Sequence, residues 1–267
     1  MLAFANAKIN LGLHVTKKRE DGYHDLETVF YPIKIQDVIE VTNANSTSCE
    51  ILGVNIPGNP NDNLCVKAYE ALKKNFDLPP QKITLLKNIP VGAGLGGGSA
   101  DAAFLVKLLN NKFQLELSDE QMEDYVKPLG ADCAFFIRNE PVLAYGKGDE
   151  FSPLDLDLSK YYFVLVKPEI HVSTADAYKG IIPTVPTTSL KDLIHLPVKD
   201  WKSNIVNDFE FTVFQQFPEI EVVKNTLYKE GALFAAMSGS GSSVFAIFDA
   251  EVVLPELEKN NSVFYGV

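Results

Sequence analysis

The sequence predicts a mixed α/β protein folded as two lobes, and three observations carry that reading. Segments with period-two hydrophobicity alternate along the chain with segments of helical period. The length, 267 residues, is about where single cores stop growing. The stretch Ser152-Pro-Leu-Asp-Leu-Asp-Leu reads as a linker, dividing residues 1–152 from residues 153–267.

Ile9, Leu11, Leu13 and Val15 alternate with Lys8, Asn10, Gly12 and His14, which predicts a half-buried strand with Lys8 and Asn10 on one face. A polar turn over residues 17–24 follows, then strands at 27–35, 38–42 and 48–54. Residues 62–75 read as a helix burying Leu64, Ala68, Ala71 and Leu72. A strand at 81–89 feeds a glycine-rich segment, and Ser99 starts a helix that runs to Asn110. Ser118-Asp-Glu-Gln121 fits a capping box opening a helix that Pro128 and Gly130 end. A strand with a Gly-x-Gly turn follows at 142–149. The second half is expected to hold strands at 161–167, 232–237, 243–248 and 262–265. Its helices are expected at 174–179, 204–217, 219–229 and 253–259, with Gly231 as a C-cap.

Composition excludes several classes. With 24 Lys plus Arg against 35 Asp plus Glu, the net charge of −11 repels nucleic acid and anionic membrane, so neither is expected as a partner. A polyanionic substrate would need a local positive pocket. Cys49, Cys65 and Cys133 are odd in number and lack C-x-x-C spacing, which points to reduced thiols in the cytoplasm and to no zinc site. The first residues lack a basic leader and do not read as a signal peptide. The uncharged run from Gly231 to Phe248 is split by Ser238-Gly-Ser-Gly-Ser-Ser243, so strand, turn, strand fits better than a membrane span.

The most informative segment is Asn88-Ile-Pro-Val-Gly-Ala-Gly-Leu-Gly-Gly-Gly-Ser-Ala-Asp101, with five glycines in seven residues. Glycine admits positive φ and close backbone approach, so N–H groups can converge on phosphate oxygens at the positive end of the following helix. Gly92, Gly94 and Gly97 match G-x-G-x-x-G, with Glu116 about twenty residues on, but lie deep in the chain where a dinucleotide fold would open it. A Walker loop is excluded because Gly146-Lys147 is followed by Gly148. A purely structural turn remains the plain alternative. Lys8 could be a surface lysine and Asp132 an N-cap. Should the two meet, the ammonium would keep the carboxylate ionised for proton abstraction. The 238–243 turn could be a flexible hairpin or a second wall of a phosphate site.

Three segments together resemble the ordered motifs of the GHMP small-molecule kinases: Ala7-Lys-Ile-Asn-Leu-Gly-Leu13, Pro90-Val-Gly-Ala-Gly-Leu-Gly-Gly-Gly-Ser-Ala100 and Met237-Ser-Gly-Ser-Gly-Ser-Ser-Val-Phe-Ala246. The resemblance spans nearly the whole chain. Arg19-Glu-Asp-Gly-Tyr-His24, Leu129-Gly-Ala-Asp132 and Ala144-Tyr-Gly-Lys-Gly-Asp149 resemble the branch that acts on a cytidine diphosphate-linked methylerythritol on the non-mevalonate route to isoprenoid precursors. Asn6 departs from the family pattern, which has Pro there.

The resemblance implies an α+β fold, with an N-terminal lobe like ribosomal protein S5 domain 2 and a ferredoxin-like C-terminal lobe. It implies ATP along Val91, Gly92, Ala93, Gly94, Leu95, Gly96, Gly97, Gly98, Ser99, Ala100 and Asp101, with Asn63 near the adenine. Mg²⁺ would accompany the nucleotide, and its protein ligands are unassigned. Asp132 is the implied base acting on the tertiary 2-hydroxyl, Lys8 its electrostatic partner, and Asn10 a lining residue of the acceptor pocket. Tyr23 and His24 would receive the cytosine, with Thr174 and Tyr178 forming the opposite wall. The expected state is a monomer or weak homodimer. Another GHMP kinase acting on homoserine, a sugar or a mevalonate-type alcohol is the nearest alternative, and a non-catalytic nucleotide-binding protein the more distant one.

Overall fold

Two long strands open the chain, β1 (Leu2–Lys18) and β2 (His24–Asn43), and they pair with each other. The structure, a computed structural model, describes residues 1–54 and 62–267. The chain divides into two compact units, and β1 and β2 each contribute a portion to both. The prediction of one exposed face on β1 does not hold, because every residue from Ala5 to Val15 is buried. Its polar positions are therefore interior groups whose hydrogen bonds must be found within the protein.

The first unit comprises Met1–Ala7, Ile35–Val91 and Gly96–Glu140. Here the second half of β2 pairs antiparallel with β4 (Gln81–Lys87), from Val38↔Leu86 to Asn43↔Gln81, and β3 (Ser48–Gly53) pairs parallel on the other side of β4. Helix α1 (Leu64–Lys73) buries Cys65, Ala68, Tyr69 and Leu72, so the apolar stripe is rotated by one residue from the face the sequence suggested. Helix α2 (Gly97–Phe113) begins two residues before Ser99, with Gly96 as N-cap in the left-handed region at φ +70°. The capping box of Ser118 and Gln121 is formed at the start of α3 (Asp119–Val126). A short 3₁₀ turn over Lys127–Leu129 then leads through a turn to α4 (Phe135–Arg138).

The second unit comprises Lys8–Lys34, Gly92–Leu95 and Pro141–Val267. The first half of β2 pairs with β5 (Val142–Tyr145), which forms a hairpin with β6 (Glu150–Pro153) through Gly146 and Gly148, both at positive φ. Ser152 is therefore not linker but strand, paired with Leu143. A four-stranded antiparallel sheet follows in the order β10-β7-β9-β8, with β7 at Tyr162–Pro168, β8 at Phe234–Met237, β9 at Val244–Phe248 and β10 at Asn261–Tyr265. One face packs Val164, Val166, Ala246 and Phe248 against α8 (Phe209–Gln216) and α9 (Pro218–Lys229). On the other face Phe234 meets Trp201, at a ring separation of 5.5 Å, and Tyr31 stacks on Phe163 at 5.8 Å. Burial on both faces explains why β8 and β9 read as continuous apolar runs.

Helix α5 (Thr174–Tyr178) falls where expected, and two short helices not foreseen, α6 (Leu190–Leu193) and α7 (Val198–Trp201), follow it. The helix expected from Asn204 starts only at Phe209, because Asn207 forms a parallel bridge with Leu13 and its side chain turns to other work. The C-cap of α9 is Glu230, with Gly231 one residue further on at φ +95°. Helix α10 (Pro255–Glu258) precedes β10.

Candidate active site

Lys8 is 3% exposed, far from the surface lysine that its residue type would suggest. Its ammonium donates to Asn10 Oδ1 at 2.7 Å and to the Gly94 carbonyl at 3.4 Å, and lies 4.6 Å from the centroid of Phe30. Asn10 is fixed in turn: its Nδ2 donates to Thr28 Oγ1 at 2.9 Å, and its backbone N–H to Ser238 Oγ at 3.3 Å. The structure thus gives the Asn10 amide the task of orienting Lys8, which a shared strand face made legible.

The two glycine turns meet. Ser238 Oγ donates to the Gly94 carbonyl at 2.9 Å, Ser243 N–H donates to the Ala93 carbonyl at 3.4 Å, and Lys8 N–H donates to the Leu95 carbonyl at 3.0 Å. The side chains of Ala93 and Leu95 are buried, so this segment presents backbone rather than side chain. Asn207, missed in the sequence, donates to the carbonyls of Met237 and Gly239, both at 2.8 Å, and holds the 238–243 turn. No local pattern pointed to it, since its partners are distant in sequence.

Gly92, Gly94 and Gly96 have φ of +63°, +79° and +70°, a positive value at every second residue. Glycine adopts positive φ without the steric cost other residues meet, so this alternation calls for glycine at these three positions. Gly96 supplies no side-chain cap to α2. The first N–H groups of that 17-residue helix thus have neither an intrahelical acceptor nor an N-cap side chain, which suits phosphate oxygens. Gly97 serves packing: a Cβ there would stand 2.9 Å from Ile89 Cγ2. Gly98 has only Leu64 Cδ1 nearby, at 3.8 Å from such a Cβ. Ala100 is wholly buried and Val91 is exposed.

In the first unit, Asp132 is half-buried in the turn before α4, whose N-cap is Ala134, so its plain reading as an N-cap does not hold. The adjacent Cys133 is buried, and burial pushes its thiol up to about 11, although the Ser99 hydroxyl draws it down. Asn63 caps α1, its Oδ1 accepting from Cys65 N–H at 2.8 Å. Asp101 is 2% exposed and pairs with Lys87 at 2.7 Å, so its carboxylate belongs to a buried cluster with Lys87 and Asp37. The sequence reading missed that cluster.

Of the four residues expected around a cytosine, His24 and Tyr178 stack, with centroids 4.6 Å apart and planes 19° from parallel. Phe209 meets Tyr178 edge-on at 4.8 Å. Tyr23 instead points outward, 62% exposed, with Lys147 Nζ 5.1 Å from its ring. Thr174 Oγ1 lies 3.4 Å from Ser240 Oγ, beside the second glycine turn. Burial, and then the Lys18 charge, pulls the His24 imidazole below its ordinary value, which favours the neutral ring.

Residues 63–140 match the model of the GHMP kinases N terminal domain and residues 191–263 that of the GHMP kinases C terminal. The chain belongs to the GHMP kinases, ATP-dependent enzymes that phosphorylate small molecules. A protein of Bacteroides fragilis (strain YCH46), 55% identical over 97% of this chain and 96% of its own length, is named 4-diphosphocytidyl-2-C-methyl-D-erythritol kinase. So is one of Cytophaga hutchinsonii, 51% identical over 94% of this chain and 93% of its own. The crystal structure of a 4-(cytidine 5'-diphospho)-2C-methyl-D-erythritol kinase superposes with a TM-score of 0.86 at 29% identity, covering 100% of this chain and 98% of that one. The chain is a member of that kinase group. Among the described residues no helix is long and apolar enough to cross a membrane.

Proposed function

We propose that the chain transfers the γ-phosphoryl group of ATP to the tertiary 2-hydroxyl of 4-diphosphocytidyl-2-C-methyl-D-erythritol, a step toward isoprenoid precursors. Asp132 takes the hydroxyl proton as the new O–P bond forms and ADP leaves. Lys8 keeps that carboxylate ionised and offsets charge on the transferred group, while Asn10 holds Lys8 in place. The glycine-rich backbone and the start of α2 bind the triphosphate. His24 and Tyr178 receive the cytosine, with Tyr23 and Thr174 at the edges of that pocket. Such chemistry is mostly positioning and electrostatics.

The observation that supports this reading most is Lys8, a buried ammonium oriented by Asn10 and hydrogen-bonded to the carbonyl of Gly94 within the glycine-rich segment. Mg²⁺ accompanies the nucleotide and neutralises phosphate charge, held largely by phosphate oxygens and water. Among the described residues no three His, Cys, Asp or Glu side chains gather to hold a metal by themselves. Three free thiols fit a cytoplasmic setting, where we take the enzyme to act as a monomer or weak homodimer.

A substrate panel with ATP tests the assignment. Turnover of the cytidine diphosphate compound, with homoserine and mevalonate inert, is the expected result. Turnover of either of those, and not of the cytidine compound, overturns it.

A further inference from the structure

Lys87 stands where its strand calls for an apolar side chain. Gln81, Ile83, Leu85 and Lys87 share the buried face of β4, and Asp37 interrupts the buried series Ile33, Ile35, Ile39 and Val41 of β2. The register Val38↔Leu86 sets Asp37 opposite Lys87 one step on. A third charge arrives from α2. Lys87 Nζ donates to Asp37 Oδ2 and, at 2.7 Å, to Asp101 Oδ2, and all three residues are 2% exposed or less.

One cation with two carboxylates in a dry interior is a poor means of stabilising a fold, since apolar residues of similar volume often do as well or better. Its position suggests another purpose. Asp37 Oδ1 accepts the N–H groups of Asn88, at 2.6 Å, and Ile89, at 2.8 Å, where the chain leaves β4 for the glycine-rich segment. Asp101 lies in the second turn of α2, the helix into which that segment leads. Gly97 closes over the cluster, since a Cβ there would stand 3.4 Å from Lys87 Nζ. A single ammonium therefore ties down both ends of the glycine-rich segment.

We propose that Asp37, Lys87 and Asp101 are positioning residues for the nucleotide, holding the exit of β4 and the start of α2 so that the intervening backbone fits a triphosphate. The proposal rests on the assignment of that segment to ATP. The titratable groups facing Asp101 are Lys87 from β4, Asp37 from β2, Cys65 from α1 and Cys49 from β3. Burial, outweighing the pull of Lys87, pushes the Asp101 carboxyl up to about 7. Loss of that proton adds one negative charge beside the segment that receives a polyanion, so ATP binding weakens as pH rises through this range.

The test uses the full chain with saturating Mg²⁺ and compares wild type with Asp101→Asn, which keeps a carbonyl for Lys87 but cannot ionise. In wild type, KM for ATP should rise about three- to tenfold between about pH 6 and pH 8.5, while KM for the alcohol substrate does not follow. Asp101→Asn should abolish that slope, and Lys87→Met should raise KM for ATP at least about tenfold with a much smaller change in KM for the alcohol. If Lys87→Met does not fold, Asp37→Asn replaces it with the same expectation. A wild-type slope retained in Asp101→Asn, or variants that lose only thermal stability while KM for ATP stays put, overturns the proposal. Calorimetric titration with MgATP separates the two levels. No binding to wild type sinks the ATP assignment itself, whereas binding unaltered in both variants sinks only the positioning role.

Discussion

Ser238 and Gly94 are locked together: the serine hydroxyl donates to the glycine carbonyl at 2.9 Å, and a Cβ on Gly94 would collide with the Ser238 carbonyl oxygen. Gly94 also sits at φ +79°, which L side chains rarely adopt. Gly94→Ala should therefore cost about 1–3 kcal/mol in backbone strain alone, with the collision added, and should raise KM for ATP. Ser238→Ala removes only the hydroxyl and should cost about 1 kcal/mol. Denaturant midpoints and KM for ATP, measured on both variants, check the order. A milder effect from the glycine change would mean that the two turns are not held in this register.

The proposed cytosine contacts make a different prediction, because His24 and Tyr178 meet by ring stacking. Removing His24 or Tyr178 by alanine substitution should raise KM for the cytidine substrate by the equivalent of about 1–3 kcal/mol, with KM for ATP nearly constant. Tyr23→Ala should act in the same direction, more weakly because its ring is turned to solvent. Since burial lowers the His24 pKa, the ring is neutral above its ordinary value of 6.5 and protonates only below it. KM for the cytidine substrate should accordingly be flat between about pH 7 and 8.5. Equal effects on both substrates would remove these rings from the base pocket.

Much of this site was legible because its signals are local. Period-two alternation placed Lys8 and Asn10 on one face, and glycine spacing marked the segment that shows alternating positive φ. The Asp37–Lys87 pair was legible in principle: each charge falls in phase with a buried apolar series on adjacent strands. What hid it was the usual expectation that charged residues in strands face water. Asn207 had no such signal, because its bonds to Met237 and Gly239 depend on a chain path that no window of sequence contains. The helix expected from Asn204 begins five residues late, at Phe209, for the same reason, tertiary hydrogen bonding having overridden local periodicity at its start.

Asp101 also predicts a stability profile. Its carboxyl is raised in the folded state from 3.8 to about 7, so the folded protein binds more protons than the unfolded chain between those values. Stability from this group is complete below its unfolded value and is lost as pH rises toward about 7. Other carboxylates contribute with the opposite sign, so the informative quantity is the difference between wild type and Asp101→Asn. Urea denaturation from about pH 4 to 7.5 should show wild type losing ground to the variant as pH rises. A constant difference would mean that the carboxyl stays ionised when buried.

The thiols offer a check on burial. Cys65 and Cys133 are buried, and burial raises all three thiols above their usual range, with the neighbouring Asp101 adding to the effect at Cys65 and Cys49. Only the thiolate reacts, so labelling with a disulfide reagent at about pH 8 should be slow in the folded enzyme. In denaturant three thiols should react rapidly. Fast labelling of Cys133 before unfolding would show that the turn carrying Asp132 opens on its own.

Asp132→Asn carries the mechanistic prediction, because it keeps the shape of the side chain and removes its capacity to accept a proton. A positioned general base contributes about 10²–10⁴-fold, so kcat should fall within that range while both KM values remain near wild type. Lys8→Met separates electrostatics from proton transfer. It keeps much of the buried stem and deletes the ammonium that lies over Phe30 and is hydrogen-bonded to Asn10 and Gly94. Its kcat should fall as well, and the double variant should lose less than the product of the two single losses, because a carboxylate no longer present has no ionisation left to protect. Full multiplicativity would mean that the two groups act independently. Asp132→Asn retaining more than about a tenth of wild-type kcat, with both substrates bound normally, would remove it from the role of base.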